Sequence, residues 1–529
     1  MKLCSTKMLP LIIAASLGLS ACGGGGDSGS PSITPPSGGN DGPTWVQGQF
    51  ASESSLINQC SANQTGSALT EKLWLRSWSN NTYLWYSEIE DRDPAPYSVA
   101  EYFKVLVTEE FTDSGSKKDN FHFSMSTEEW EQQNQSGASV GYGINFKLDN
   151  GSEAGARKVT VTYNEPNSPA SAANVTRGAV IVEIDGVSVR NAADSASIDI
   201  LNAGLFPSAN GKQTTFTIRD LGASADREVT LTAQTIISTP VQNTKTIQTA
   251  NGKVGYLQFN SHIATAERGL FDALTSLSQE NVDDLVIDLR YNGGGLLAMA
   301  SQLGYMIAGK EATENKTFEE TSFNDKYPNI NPITNQALSP MPFIDETLGF
   351  NTGLLTGGTP LPSLDLKRVY VLTTSSTCSA SEALMNGLRG VDIEVIQIGG
   401  TTCGKPYGFY PTPNCATTYF TIQFKGVNEK GFGEYSDGFV PSTSPTLASE
   451  VQGCALTDDL NHALGDPDER LLSAALYYRD NQRCPAVAAS VSRASAANDF
   501  VDEGFMLKDE RKQTLWQNNR ILSDMQGAH

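Results

Sequence analysis

Histidine is nearly missing from this chain: His122, His262, His462 and His529 are the only four in 529 residues. Scattered in this way they make a structural or catalytic zinc centre an unsuitable reading, and no other cofactor signature replaces it. Basic charge is also short, with 37 Lys and Arg against 59 Asp and Glu and a net charge of −22. Like charges repel, so nucleic acid and anionic membrane surfaces are poor partners. Long apolar runs are absent too, apart from Met8 to Leu17, which is too short to span a bilayer stably. With 39% apolar residues, the remainder has ample material for buried cores, enough for several domains.

That apolar run, with Lys2 and Lys7 before it, reads as a signal peptide over residues 1–21. It ends in Leu19-Ser-Ala-Cys22, which resembles the bacterial lipobox and implies a lipid on Cys22. The expected location is the cell envelope, periplasmic or anchored to the outer membrane, with the exposed face left open. Residues 22–58 are rich in Gly, Ser and Pro and read as a tether. Six cysteines then remain, Cys60, Cys378, Cys403, Cys415, Cys454 and Cys484, which in an oxidising compartment suggests up to three disulfides. Cys403 with Cys415 would close a short loop around Lys405, Cys454 with Cys484 would pin the C-terminal region, and Cys60 and Cys378 are left over.

The folded part divides by periodicity. Residues 59–135 carry Trp74, Trp78, Tyr83 and Trp85 at helical spacing and read as a small helical domain whose aromatics form a core. Residues 138–236 alternate in the manner of strands, with an Asp185-Gly186 turn. From residue 240 to about 480, near-continuous apolar strands interleave with helices, as in a sheet covered on both faces. A Pro-, Asn- and Thr-rich insertion from Glu311 to Asp365 reads as a substrate-facing loop. Residues 481–529 form a C-terminal extension of unassigned role.

Two short stretches carry the chemistry. Ser379 lies in Thr377-Cys-Ser-Ala-Ser-Glu382, where Glu382 three residues on also fits a helix capping box. Capping and nucleophilic attack use the same helix N-terminus, so placement alone leaves both open. Lys405 lies in Cys403-Gly-Lys-Pro406, and a lysine that has lost its proton can replace the scarce histidine as base for a serine. Such a lysine needs its ordinary pKa of about 10.4 brought down by a few units, and an apolar wall of Pro406, Tyr407 and Phe409 would act in that direction. Asp288 to Gly295 follows an apolar strand, and its three glycines can present N–H groups to an anion. His262 ends another strand and is either structural or site-lining.

These motifs in this order, with Gly141-Tyr-Gly-Ile144 upstream and Asp437-Gly-Phe-Val-Pro441 downstream, resemble the carboxyl-terminal processing (tail-specific) serine peptidases over roughly residues 60 to 445. The resemblance implies a multidomain α+β protein: an α/β peptidase core of crotonase-like βαβ units, a β-rich PDZ domain and a small N-terminal helical domain. It implies Ser379 as nucleophile, Lys405 as base, and N–H groups of Ala380 with Gly293 or Gly294 as oxyanion hole. It also implies a PDZ loop at Gly141, Tyr142, Gly143 and Ile144 that binds a peptide C-terminus. Phe409 stands where some relatives have a glutamine that orients the lysine, so Glu382 is the candidate third member. The expected partners are protein or peptide substrates, with no cofactor and no metal. The alternative is a non-catalytic peptide- or apolar-ligand-binding protein on the same fold, and retention of both Ser379 and Lys405 counts against it.

Overall fold

Successive residues of the apolar runs after Pro240 point to opposite faces, so each run contributes to two separate cores. In the computed structural model, which describes residues 43–112, 114–149, 157–486 and 520–521, these runs form a seven-stranded sheet. The signal segment, Cys22 and most of the tether lie outside the described residues. Strands β1 (Val241–Thr249) and β2 (Gly252–Phe259) make an antiparallel hairpin at one edge. Then follow β3 (Asp284–Asp288), β4 (Arg368–Thr373) and β5 (Glu394–Gly399), all parallel. Strand β6 (Val440–Ser442) is the far edge, and β7 (Glu450–Ala455) lies between β5 and β6.

Helices α1 (Ala266–Gln279), α2 (Leu297–Thr313) and α3 (Ala380–Gly390) cover one face, against Leu257, Leu285, Ile287 and Val371. Helix α1 presents Leu270, Ala273, Leu274 and Leu277 at the spacing of a single apolar stripe. Helix α4 (Arg470–Asn481) covers the other face, packing Leu471, Leu472, Ala475 and Tyr478 on Val254, Tyr256, Val286 and Tyr370. The disulfide Cys454–Cys484 ties the end of α4 to β7, as expected.

The other two cysteine pairings differ from expectation. Cys403 bonds to Cys378, because its N–H donates to the Thr377 carbonyl at 3.0 Å and sets the two chains side by side. Cys415 bonds instead to Cys60, in a turn whose neighbour Asn414 accepts from the Asn58 N–H at 2.7 Å.

Residues 59–135 share their core with the sheet-bearing region. Ser67 and Thr70 cap the helix Ala68–Thr82, whose Trp74 and Trp78 stack at 5.3 Å and meet Tyr419. Strand Phe123–Ser126 pairs with Thr417–Phe420, and Tyr83 and Trp130 enter the core beneath α1 to α3. The insertion is likewise more structural than a free loop. Its strand Thr317–Ser322 pairs with Phe424–Val427, and Phe318, Phe323, Met341 and Phe343 are buried.

The β-rich region is an antiparallel sheet built on Ile144–Asp149, Lys158–Asn164, Val180–Ile184, Gln213–Arg219 and Arg227–Thr232, closed by helix Ser195–Leu205 over its own core. The strands Ala138–Gly141 and Gln234–Ile237 pair with each other where the chain enters and leaves it. Glu165 holds that junction: its carboxylate accepts from the Thr239 N–H at 2.8 Å and from Ser238 Oγ and Gln242 Nε2 at 3.4 Å. Burial pushes its carboxyl up to about 7, against these donors. An acid whose pKa rises on folding lends stability below its unfolded value near 4.5, and loses it as pH climbs to about 7. Glu165→Gln is therefore expected to flatten the stability curve between pH 4.5 and 7 and to gain about 2–3 kcal/mol on wild type above pH 7. Urea melts at pH 5 and pH 8 check this; an unchanged difference between the two proteins at both pH values rules it out.

Candidate active site

Strand β4 ends at Thr373, and the chain turns through Thr374 to Cys378 before α3 begins. Thr377 Oγ1 anchors this turn on the Leu289 carbonyl at 2.8 Å. Ser379 then takes φ +57° and ψ −102°, a conformation that costs a side-chain-bearing residue on the order of 1–3 kcal/mol. Its hydroxyl is buried and has no hydrogen-bond partner among the described residues, although Ser379 stands at the N-cap of α3 in a capping box with Glu382. The Ser379 N–H donates to Glu382 Oε2 at 2.7 Å.

Glu382 does more than close its own helix. The same Oε2 accepts from the Lys405 N–H at 2.9 Å, while Oε1 accepts from the Gly404 N–H at 2.8 Å and from Thr402 Oγ1 at 2.5 Å. Ser379 and Lys405, 26 positions apart in sequence, thus hang by their backbones from one carboxylate oxygen. Burial pushes the Glu382 carboxyl up, against the Thr402, Lys405, Ser379 and Gly404 donors that pull it down. The Cys378–Cys403 disulfide clamps the same two segments, with Cα atoms 5.1 Å apart. Thr402 is held in turn by the Phe439 N–H at 2.7 Å, from the Asp437–Pro441 motif.

The Lys405 side chain is fully buried, its Nζ 4.5 Å from the Phe121 ring centre and 4.6 Å from that of Phe409. Phe409 thus supplies an aromatic face where a glutamine was looked for. The facing ring belongs to the helical segment, and its role could not be read from spacing.

After β3 the glycine turn runs back over α3. The Asn292 carbonyl accepts from the Cys378 N–H at 3.0 Å and from Ser381 Oγ at 3.2 Å, tying this turn to the serine turn. Gly294 has φ +105° and Gly295 φ +134°; a Cβ on Gly295 would lie 2.4 Å from the His262 carbonyl oxygen. The Gly294 N–H is already engaged by Asn292 Oδ1 at 2.8 Å, which removes it from the two oxyanion candidates in this turn and leaves Gly293. His262 brackets the turn with its backbone, donating to the Gly294 carbonyl and accepting from the Leu296 N–H. Its ring, fully buried, has Nδ1 3.1 Å from Asn292 Oδ1, and burial draws its pKa down to about 4. Asn292 and Thr402 are the residues that sequence reasoning missed; Asn before three glycines was the available signal for the first.

Beneath the turn, Arg290 is fully buried against Asp288, Asp458 and Glu469. Burial pushes the Asp458 carboxyl up, but Arg290 and Arg177 together hold it below its ordinary value. Arg177 comes from the β-rich region, donates to Tyr291 Oη at 2.6 Å, and so joins that region to the glycine turn. The suspected carboxylate loop lies on the same side: Gly141, Gly143 and Ile144 line one cavity of about 130 Å³ with Gly294 and Gly295. Tyr142 itself is buried, with its hydroxyl on Thr214 Oγ1.

Residues 253–412 match the model of peptidase family S41. This stretch of the chain is similar to the S41 peptidases. The S41 match spans β2 to the end of the lysine loop, so Gly293, Ser379, Glu382 and Lys405 all fall within it. A carboxyl-terminal-processing protease of Picosynechococcus sp. is 30% identical over 147 residues, 28% of this chain and 34% of that one. The chloroplastic C-terminal processing peptidase of Tetradesmus obliquus is 28% identical over 187 residues, 33% of this chain and 38% of that one. The chain therefore spans little more than a third of the length of these curated relatives. A solved chain from Bacteroides fragilis NCTC 9343, assigned to the S41 proteases, shares the fold with a TM-score of 0.57 at 22% identity, over 78% of this chain and 97% of its own. Among the described residues no helix is long and apolar enough to cross a membrane.

Removing the clamp tests its role. The double substitution Cys378→Ala with Cys403→Ala is expected to lower stability by about 2–4 kcal/mol. A urea midpoint equal to that of wild type shows that the disulfide does not hold the two segments together.

Proposed function

We propose that this protein is a serine endopeptidase of the S41 type, acting on protein tails or unfolded segments through Ser379 and Lys405. The observation that carries the reading is the pairing of a strained serine, its hydroxyl buried without a partner, with a buried lysine, both held by Glu382. A structural serine at a helix start would spend its hydroxyl on the helix. In the proposed reaction Ser379 Oγ attacks the scissile carbonyl carbon as its proton passes to neutral Lys405 Nζ. The tetrahedral oxyanion is met by the N–H groups of Ala380 and Gly293, each worth roughly 3–4 kcal/mol of barrier. Lys405 then gives the proton to the leaving amine, and the acyl-serine is hydrolysed by water with the lysine again carrying the proton.

The β-rich region is proposed as the PDZ-like element that presents the substrate, since its loop and the glycine turn face one cavity. The lipobox would place the enzyme on an envelope membrane, within reach of exported proteins.

Purified protein incubated with an unstructured peptide is expected to cleave it. Ser379→Ala and Lys405→Ala are each expected to lose roughly 10³- to 10⁶-fold in kcat while still binding the peptide. Lys405→Arg is expected to be as inactive as the alanine variant, because a guanidinium does not give up its proton. Cleavage at wild-type rate by either alanine variant eliminates the dyad.

A further inference from the structure

The strand that follows the glycine turn is only two residues long, Gly295–Leu296, yet it is paired on both sides. On one side it meets His262. On the other it receives a segment from the far end of the sequence: Arg520–Ile521 runs parallel to it, with Gly295 opposite Arg520 and Leu296 opposite Ile521. The same segment lies beside Tyr407–Gly408, two residues beyond Lys405. It therefore sits between the turn that holds the oxyanion candidate and the loop that holds the base.

An extended peptide is held most simply by adding a strand to an exposed edge, where backbone hydrogen bonds bind it without regard to side chains. Gly295–Leu296 offers such an edge at the end of the turn that Asn292 ties to the serine turn, and its other edge is already spent on His262. We propose that residues 520–521 occupy the edge on which an extended substrate docks, making this segment a built-in competitor of substrate. The inference rests on the peptidase reading for what it competes with, but the docking itself stands on the strand pairing. Full burial of Ser379 and Lys405 agrees with a site that is covered before substrate arrives. A segment of the same chain competes intramolecularly, so weak pairing is enough to fill the edge for most of the time. Substrate would then bind with an affinity reduced by the fraction of molecules in which the edge is clear.

Prolines remove the N–H groups that such a ladder needs. The full-length double variant Arg520→Pro with Ile521→Pro is expected to show a KM for an unstructured peptide about 3- to 10-fold below wild type, at unchanged kcat. A fluorescent peptide of residues 516–526 is expected to bind this variant, by anisotropy, and to bind wild type more weakly by the same factor. Equal KM in the two proteins, a change in kcat alone, or a peptide that fails to bind the variant overturns the proposal. If neither protein cleaves any peptide, the peptidase reading falls, and anisotropy with the same labelled peptide still decides whether the edge is occupied.

Discussion

One buried carboxylate holds the site together. Glu382 accepts from four donors on two segments, and three of these are backbone N–H groups of Ser379, Gly404 and Lys405. Leaving such N–H groups unpaired in the interior would cost on the order of 1–3 kcal/mol each, so the two segments stay where the carboxylate puts them. The arrangement also explains how a residue with the conformation of Ser379 is tolerated. Its local strain is offset by the hydrogen bond its own N–H makes, and by the Cys378–Cys403 bond on its other side. A capping glutamate has thereby become the element that registers serine against lysine.

The second constraint is the glycine turn, which has many partners and at Gly295 no room for a side chain. Asn292 binds the serine turn with its carbonyl and the turn's own backbone with its side chain, while His262 closes the opposite edge. Below it, Arg290 and its three carboxylates form a buried charge cluster that is expensive to break, since removing one partner leaves another charge uncompensated. Arg177 extends this cluster into the β-rich region. The turn is thus the place where the sheet, the serine helix and the β-rich region meet.

The helical segment belongs to the same construction. Phe121 supplies one of the two rings around Lys405, Phe123 stacks on Phe420 at 4.2 Å, and Cys60–Cys415 joins the segment covalently to the turn between strands Thr412–Asn414 and Thr417–Phe420. Independent folding of residues 59–135 would leave Trp130 and Tyr83 without the core they enter.

Apolar periodicity by itself determined the interleaved strands and helices from β2 to β5, because alternation and the helical stripe are local properties of the chain. Motif order likewise brought Ser379, Lys405 and the glycine turn under one reading. Pairings between distant residues were decided by tertiary structure alone. Cys378 found Cys403, and Cys60 found Cys415, because hydrogen bonds at Thr377 and Asn58 set those chains side by side, and spacing along the sequence carries no trace of that. The backbone conformation of Ser379, with its positive φ, was equally hidden, since it depends on the turn that precedes α3. So was Phe121 against Lys405: a contact across 284 positions exists only once the sheet has brought both ends to one place.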